Sequence, residues 1–358
     1  MILTFDQLIL DLYHAERIAR KNKTSKWYVR LFEQDLDKNI REIATELFYK
    51  TYKQQPFKRF IYNGQVKREI FAAKFKDRIV HHLYFNYTHE IFENSLIDDC
   101  YACIKNKGTS YGINRLEHHI KSESDNYTKS CYVLQLDLTA YFMNINRQLL
   151  LEITTKYLQK VRYRYEDVLD FDFIFYLTDT IILLDPINNC NFLSLSAYNG
   201  IPLYKTLVGA RKGFGLPIGN LTSQMLSNVY MNIFDQYVKR DLKCKHYGRY
   251  VDDAYIVSSD FNFLVSLINP IAEFLDKNLY QTLNRKKTKI VNAYYGVSFL
   301  GAYLKPYRRY ALNKTLKYIK NVTLTKNGQD PYEKYLTNET IKGYLKQFKT
   351  YNIRKNLK

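Results

Sequence analysis

Two adjacent carboxylates, Asp252 and Asp253, lie between Gly248-Arg249-Tyr250-Val251 and Ala254-Tyr255-Ile256-Val257-Ser258, a pattern that reads as strand, acidic turn, strand. In a buried hairpin two such charges repel each other unless a cation compensates them, and a divalent metal is the natural partner. Asp137 ends a second apolar run, Cys131-Tyr132-Val133-Leu134-Gln135-Leu136. If the two strands are neighbours, the three carboxylates form an oxygen-rich cage suited to Mg²⁺, with the Leu138 backbone as a further donor. Such a set can hold two ions roughly 4 Å apart, one activating an attacking hydroxyl and one stabilising a leaving pyrophosphate. An Asp-Asp pair standing alone would read as a solvated turn.

The elements that must position these groups follow from periodicity and turn chemistry. The first 50 residues read as helices. Asn63-Gly64 sits between two alternating apolar runs and predicts a tight hairpin with both turn residues at positive φ. A helix is expected over 75–93, with Phe75, Ile79, His82, Leu83, Asn86 and Tyr87 along one side before an Asn94-Ser95 break. Leu216-Pro217-Ile218-Gly219-Asn220 punctuates a loop, and Met225, Val229, Ile233 and Tyr237 mark one face of the helix after it. The last 50 residues read as helices again, with Ile341, Tyr344, Leu345 and Phe348 on one face and Thr337 or Asn338 as the cap.

Composition narrows the partners. The 358 residues carry 54 Lys plus Arg against 35 Asp plus Glu, a formal charge of +19. That excess excludes an acidic solvating protein and points to a polyanion, most simply a phosphate backbone, with an acidic membrane surface the weaker alternative. Five scattered cysteines do not suit a secreted disulfide framework, so reduced thiols and a cytoplasmic location are expected. The amino-terminal stretch lacks a basic leader, and the longest apolar run, residues 173–184, is interrupted by Asp179 and shorter than the ~20 residues a span requires, so no membrane association is expected. The 34 Tyr and single Trp fit a compositional bias, although tyrosines also stack on bases. Cys100-x-x-Cys103 has ligand spacing but no second pair, and His81-His82 and His118-His119 fall in helical stretches where packing roles are expected.

Taken in order along the chain, these motifs resemble the reverse transcriptases of the bacterial, group II intron-like kind. Tyr250-Val251-Asp252-Asp253 looks like the family's YxDD box, and the segment around Asp137 resembles its first catalytic motif. Residues 216–224 resemble the loop and helix that hold template and incoming nucleotide, residues 283–289 the segment after the YxDD hairpin, and 297–301 the primer grip. The resemblance implies an α+β right-hand polymerase. Its parts would be an amino-terminal helical segment (1–50), fingers (51–130 with part of 205–225), palm (131–305) and helical thumb (306–358). It also implies RNA-templated DNA synthesis with two Mg²⁺, an RNA template, a DNA or RNA primer and dNTPs, together with a structured noncoding RNA and an accessory protein.

Residue by residue, the resemblance makes Asp137, Asp252 and Asp253 the metal ligands. Lys287 becomes the donor of a proton to leaving pyrophosphate, unless it is simply one of many solvated lysines. Phe142 would lie under the sugar and exclude a ribose 2′-hydroxyl; its alternative is a plain core aromatic. Lys67, Arg68, Lys74 and Arg78 bracket a fingers hairpin and the helix after it, where cations pair with a triphosphate, Arg68 foremost. Ile218, Gly219 and Gln224 would line the nucleotide, and Phe299-Leu300-Gly301 would grip the primer, or form only a strand and turn. Thumb lysines Lys314, Lys317, Lys320, Lys342, Lys346 and Lys349 would meet duplex phosphates, and Arg17, Arg20, Lys21, Lys23 and Lys26 a structured RNA or partner protein.

Ile218-Gly219 and Ser223-Gln224 stand where many reverse transcriptases carry Gln-Gly and Ser-Pro. That form resembles the enzymes of diversity-generating retroelements, which copy RNA with errors at adenines. The span of about 80 residues between Asp137 and the loop is long for that group, which keeps an antiphage-defence enzyme as the alternative. An RNA-binding scaffold with a silent palm is a reading of another class, opposed by the intact Asp137, Asp252 and Asp253. An RNA polymerase is opposed by Phe142. At position 218 a Gln would hydrogen-bond the nucleotide's sugar and align it, whereas Ile offers no such bond. The loss slows correct incorporation more than incorrect, because only a correct pair is held in near-attack geometry. Ile218→Gln is therefore expected to lower misincorporation on an RNA template, and equal error spectra opposite each template base would remove Ile218 from that role.

Overall fold

The computed structural model describes residues 2–64 and 66–317 together with 341, 343, 345, 346 and 348. The helices are α1 (Phe5–Ala19), α2 (Trp27–Gln34), α3 (Leu36–Phe48), α4 (Phe75–Glu93), α5 (Thr109–Glu123), α6 (Arg147–Val161), α7 (Phe171–Ile182), α8 (Leu221–Gln236) and α9 (Phe261–Leu279). The strands are β1 (Lys58–Asn63), β2 (Lys67–Ala72), β3 (Tyr132–Leu136), β4 (His246–Tyr250), β5 (Asp253–Ser258), β6 (Lys289–Asn292), β7 (Val297–Phe299), β8 (Ala302–Lys305) and β9 (Arg308–Ala311). No described helix is long and apolar enough to cross a membrane.

The chain divides into two compact units. One gathers Met1–Leu96, Ala140–Asp235 and Leu275–Gln281, and the other Ile97–Thr139, Gln236–Phe274 and Thr282–Lys358. The segment expected as palm, 131–305, therefore contributes to both.

In the first unit α1 buries Leu8, Leu12, Ala15 and Ala19, a stripe at helical spacing, against α3 and α4. Helix α4 has the bounds its periodicity implies, but its expected one-sided face is too narrow. Val80, His81, Tyr84 and Thr88 are buried as well, because α2 and α7 also pack on it. Its buried imidazole, His81, bonds to Thr222 at 2.6 Å and Gln54 at 3.1 Å, a packing role. The β1–β2 hairpin forms, yet Asn63 pairs with Lys67, so residues 64–66 connect the strands. Neither Asn63 nor Gly64 takes a positive φ, and the expected two-residue turn is not made. Met225 and Val229 of α8 are buried as expected, while Ile233 is exposed. Four-residue steps drift around a 3.6-residue helix, and the buried stripe continues through Tyr230 and Phe234 instead.

The second unit is built on the antiparallel order β4-β5-β3-β6. Helix α5 packs on β4 and β5, and Ile113, Leu116, Val133, Tyr255, Val257 and Phe299 form one core with the sheet β7-β8-β9. Arg308–Ala311 is a strand, where the sequence reads as the start of a helical segment. Alternation explains it: Ala311 is buried beside Ala302 while Tyr310 faces out, a period of two. Leu345 and Phe348 are buried in this core with Ile341 against it. Tyr344, Thr337, Asn338, Lys320, Lys342 and Lys349 lie outside the described residues.

One glycine of the first unit is held by its neighbours. Gly219 has φ +118°, and a Cβ there would lie 2.9 Å from Ile70 Cγ2 and 3.3 Å from the Phe71 carbonyl. Gly219→Ala is expected to destabilise this unit by about 1–3 kcal/mol, read by denaturant unfolding, and a loss below ~0.5 kcal/mol would be that of an ordinary surface change.

Candidate active site

The acidic residues converge in the second unit because β3 pairs with β5. Leu136 stands opposite Ala254, so Asp137 leaves β3 beside Asp253. Tyr250 pairs with Asp253, leaving Val251 and Asp252 as the turn. Val251 has φ +58°, a conformation a β-branched side chain rarely adopts. The expected buried hairpin turn is in fact open: Asp252 is half-buried and Asp253 exposed.

Asp137 is already engaged. Lys287 Nζ donates to its two oxygens at 3.0 and 3.3 Å, and Asn284 Nδ2 donates to Oδ2 at 3.0 Å. The Asn284 amide also donates to the Asp137 carbonyl at 2.8 Å, so residues 283–289 are moored to the end of β3. Although Asp253 as a residue is exposed, its carboxyl lies close enough to the packed strands for desolvation to act first, then the charges of Asp252 and Asp137, with Lys287 opposing, and its pKa is pushed up to about 7. Together Asp137, Asp253, Lys286, Lys287 and Lys289 line an open cleft of about 400 Å³ that also reaches Leu300.

Among the described residues no three His, Cys, Asp or Glu side chains already close around a common point. Lys287 stands on Asp137 in the place of a cation. The donor chemistry nevertheless fits a hard divalent ion: the oxygens are carboxylate, and their mutual repulsion is what a cation relieves. An acidic floor with a lysine rim suits a metal-bound polyphosphate.

The residues expected to grip a primer divide. Phe299 is 5% exposed and meets Tyr255 edge-on at 5.1 Å, so most of it is core, although it also lines the cleft. Leu300 and Gly301 make a two-residue turn with both φ positive, and the Gly301 carbonyl accepts from the Leu312 amide at 3.0 Å and the Thr315 hydroxyl at 3.3 Å. Leu138 is buried and pairs with Leu283.

The first unit brings together the residues expected around a nucleotide. Ile218 and Phe142 pack on one cluster with Phe57, Phe71, Met143 and Leu207. Backbone bonds fix the loop on two sides, Leu216 N–H to the Phe142 carbonyl at 3.0 Å and Phe71 N–H to the Ile218 carbonyl at 2.8 Å. Asn220 completes the attachment, donating to the Phe71 carbonyl at 3.0 Å and accepting from the Ala73 amide at 3.3 Å. Gln224 is exposed on the first turn of α8, and Arg68 and Lys74 are exposed, while Lys67 donates to the Asn199 carbonyl at 3.2 Å. Arg78, expected near a triphosphate, has partners within the first unit. It donates to the Ala73 carbonyl at 2.8 Å and lies 5.7 Å from the Tyr28 ring, holding the start of α4.

Sequence reasoning missed Asn220 and Asn284 as site residues, although both lie in motifs it singled out. Their signal is an amide at a fixed place in a loop, visible only once the strand it serves is known.

The profile of the reverse transcriptase (RNA-dependent DNA polymerase) family matches residues 68–304, and the chain belongs to that family of nucleotidyltransferases. No curated protein matches the chain. Among solved structures it is similar to apo telomerase from Candida tropicalis, at 10% identity and TM-score 0.51, over 76% of this chain and 53% of that one. Telomerase from Candida albicans in complex with a fragment of telomeric RNA is similar at 13% identity and TM-score 0.44, over 77% and 51%. The family match and the likeness to the Candida tropicalis structure give the chain the mixed helix-and-sheet, right-hand polymerase fold of reverse transcriptases. The chain spans about half the length of these telomerase structures.

The Asp253 shift has a definite sign. Its folded pKa, about 7, lies above an unfolded value of about 3.9, so the folded state is penalised when the carboxylate ionises. The penalty is absent below the unfolded pKa, grows across the interval and is complete above the folded one. Metal-free parent is therefore expected to lose stability relative to Asp253→Asn between about pH 4 and 7, and Mg²⁺ to narrow the gap. Parallel melting curves at pH 4 and pH 8 would show that the carboxylates do not repel.

Proposed function

We propose that the chain catalyses RNA-directed DNA synthesis, with Asp137, Asp252 and Asp253 as its catalytic carboxylates. The observation that carries this reading is the β3–β5 pairing, which sets Asp137 beside the Asp252-Asp253 turn within one sheet. When bound there, two Mg²⁺ would supply activation of the primer hydroxyl and charge neutralisation of the leaving pyrophosphate. Lys287, its ammonium 3.0 Å from Asp137, is assigned as proton donor to that pyrophosphate. Arg68, Lys67 and Lys74 are assigned to the triphosphate, and Ile218, Gly219 and Gln224 to alignment of the nucleotide. Phe142 is the barrier to a ribose 2′-hydroxyl. Phe299-Leu300-Gly301 are assigned to the primer grip, with Phe299 and Leu300 among the residues that line the cleft.

The partners on this reading are an RNA template, a DNA or RNA primer, dNTPs, a structured noncoding RNA and an accessory protein. Residues 1–50 are assigned to an amino-terminal helical segment, 51–130 with part of 205–225 to fingers, 131–305 to palm and 306–358 to a thumb. Ile218-Gly219 and Ser223-Gln224 favour a bacterial, group II intron-like enzyme of a diversity-generating retroelement. An antiphage-defence enzyme is the second reading, favoured by the long segment before the loop, which includes α6, α7 and the 3₁₀ turns Leu195–Tyr198 and Leu203–Lys205. Errors concentrated at template adenines would support the first and an even spectrum the second.

Asp252→Asn is expected to reduce primer extension by at least about a thousandfold, the scale on which reacting groups acting as a unit fail. RNA affinity should stay within about twofold and still fall steeply with salt through counterion release. Extension surviving in this variant would overturn the metal assignment, and salt-insensitive binding would overturn the nucleic-acid groove.

A further inference from the structure

The turn that carries Asp252 and Asp253 holds a conformation its own sequence disfavours, and one buried side chain reaches it. Val251 sits at φ +58°, where a Cβ-branched residue meets its own backbone and persists only if its surroundings hold it. Arg249, two residues earlier on β4, is 0% exposed, the largest fully buried side chain among the described residues. Its Nη1 donates to the Val251 carbonyl at 3.0 Å, and its Nη2 lies 3.5 Å from Cys100 Sγ.

The backbone of Arg249 is pinned as well. Its amide donates to the Asp99 carbonyl at 2.9 Å, and the Tyr101 amide donates to its carbonyl at 3.0 Å. Asp99-Cys100-Tyr101 thus runs beside β4 as an extra parallel link, and Cys100 pairs with Arg249. On the other side Arg249 pairs with Ala254 of β5. A guanidinium anchored on both flanks, in surroundings that exclude water, fixes the peptide plane between Val251 and Asp252. That plane sets the direction in which the Asp252 side chain leaves the chain. A lysine ammonium, a single point charge, cannot reproduce the planar fork that meets the carbonyl and the sulfur together.

We propose that Arg249 is a positioning residue for the carboxylate turn, acting on metal binding through the Val251 carbonyl. The inference rests on the assignment of Asp252 and Asp253 as metal ligands. Groups that orient metal ligands without touching the metal change affinity or activity by about tenfold to a hundredfold when removed. Arg249→Met and Arg249→Lys are expected to lose metal affinity on that scale, the Lys variant less than the Met variant.

The test measures Mn²⁺ binding by electron paramagnetic resonance, with single-turnover extension and RNA affinity alongside. Expected are weaker Mn²⁺ binding and a lower kcat, with KM for dNTP and RNA affinity within about twofold. Folded Arg249 variants that bind Mn²⁺ like the parent would overturn the proposal, as would losses in kcat, KM and RNA affinity that simply track a lowered melting temperature. Cys100→Ala keeps the question open to measurement if the Arg249 variants do not fold. It removes the sulfur and leaves the Val251 contact, so Mn²⁺ affinity should stay within twofold, and a tenfold loss would make the sulfur the working partner and overturn the proposal. Parent-like Mn²⁺ binding by Asp252→Asn and Asp253→Asn would instead defeat the metal assignment itself, whatever Arg249 does.

Discussion

Everything at the proposed catalytic centre depends on the antiparallel pairing of β3 with β5. Neither strand alone assembles an acidic cluster: Asp137 belongs to one and the Asp252-Asp253 turn to the other, more than a hundred residues apart in the sequence. The pairing brings together charges that repel, a cost that the proposed cation would relieve. Lys287 and Asn284 moderate it by occupying Asp137. The lysine thus has two places in the reading. In the metal-free protein it neutralises a carboxylate, and in the reaction it stands beside the phosphates that leave.

Local signals carried a large part of this architecture. The helix over residues 75–93, the strand before Asp137 and the strands around Asp252-Asp253 follow from periodicity and from residues that stop a helix or strand. What periodicity does not encode is the set of neighbours. The face of α4 reads too narrow because a helix packed on several sides buries more than one stripe. The Asn63-Gly64 signal is genuine as a hairpin marker but not as a turn length, since register is settled by pairing along β1 and β2.

The site shows the same division. Carboxylates and a glycine at fixed spacing are visible in the sequence, but whether a side chain faces the cleft or the core is not. Phe299 looks like a contact residue by motif and is a core residue by packing, whereas Arg249 looks like an ordinary charge in a strand and is fully buried. Arg78 likewise has the charge a triphosphate wants, yet backbone and aromatic partners already hold it. A residue's type states what it can do; its partners decide what it does.

Asn220 gives the first unit a mechanical property. Its side chain bonds on both sides of β2's end, to the Phe71 carbonyl and the Ala73 amide, while the Ile218 carbonyl takes the Phe71 amide between them. The loop is in effect an extra strand stitched to the hairpin through an amide. On the proposed reading, the alignment assigned to Ile218 therefore shares its backbone support with the strand that carries Lys67 and Arg68.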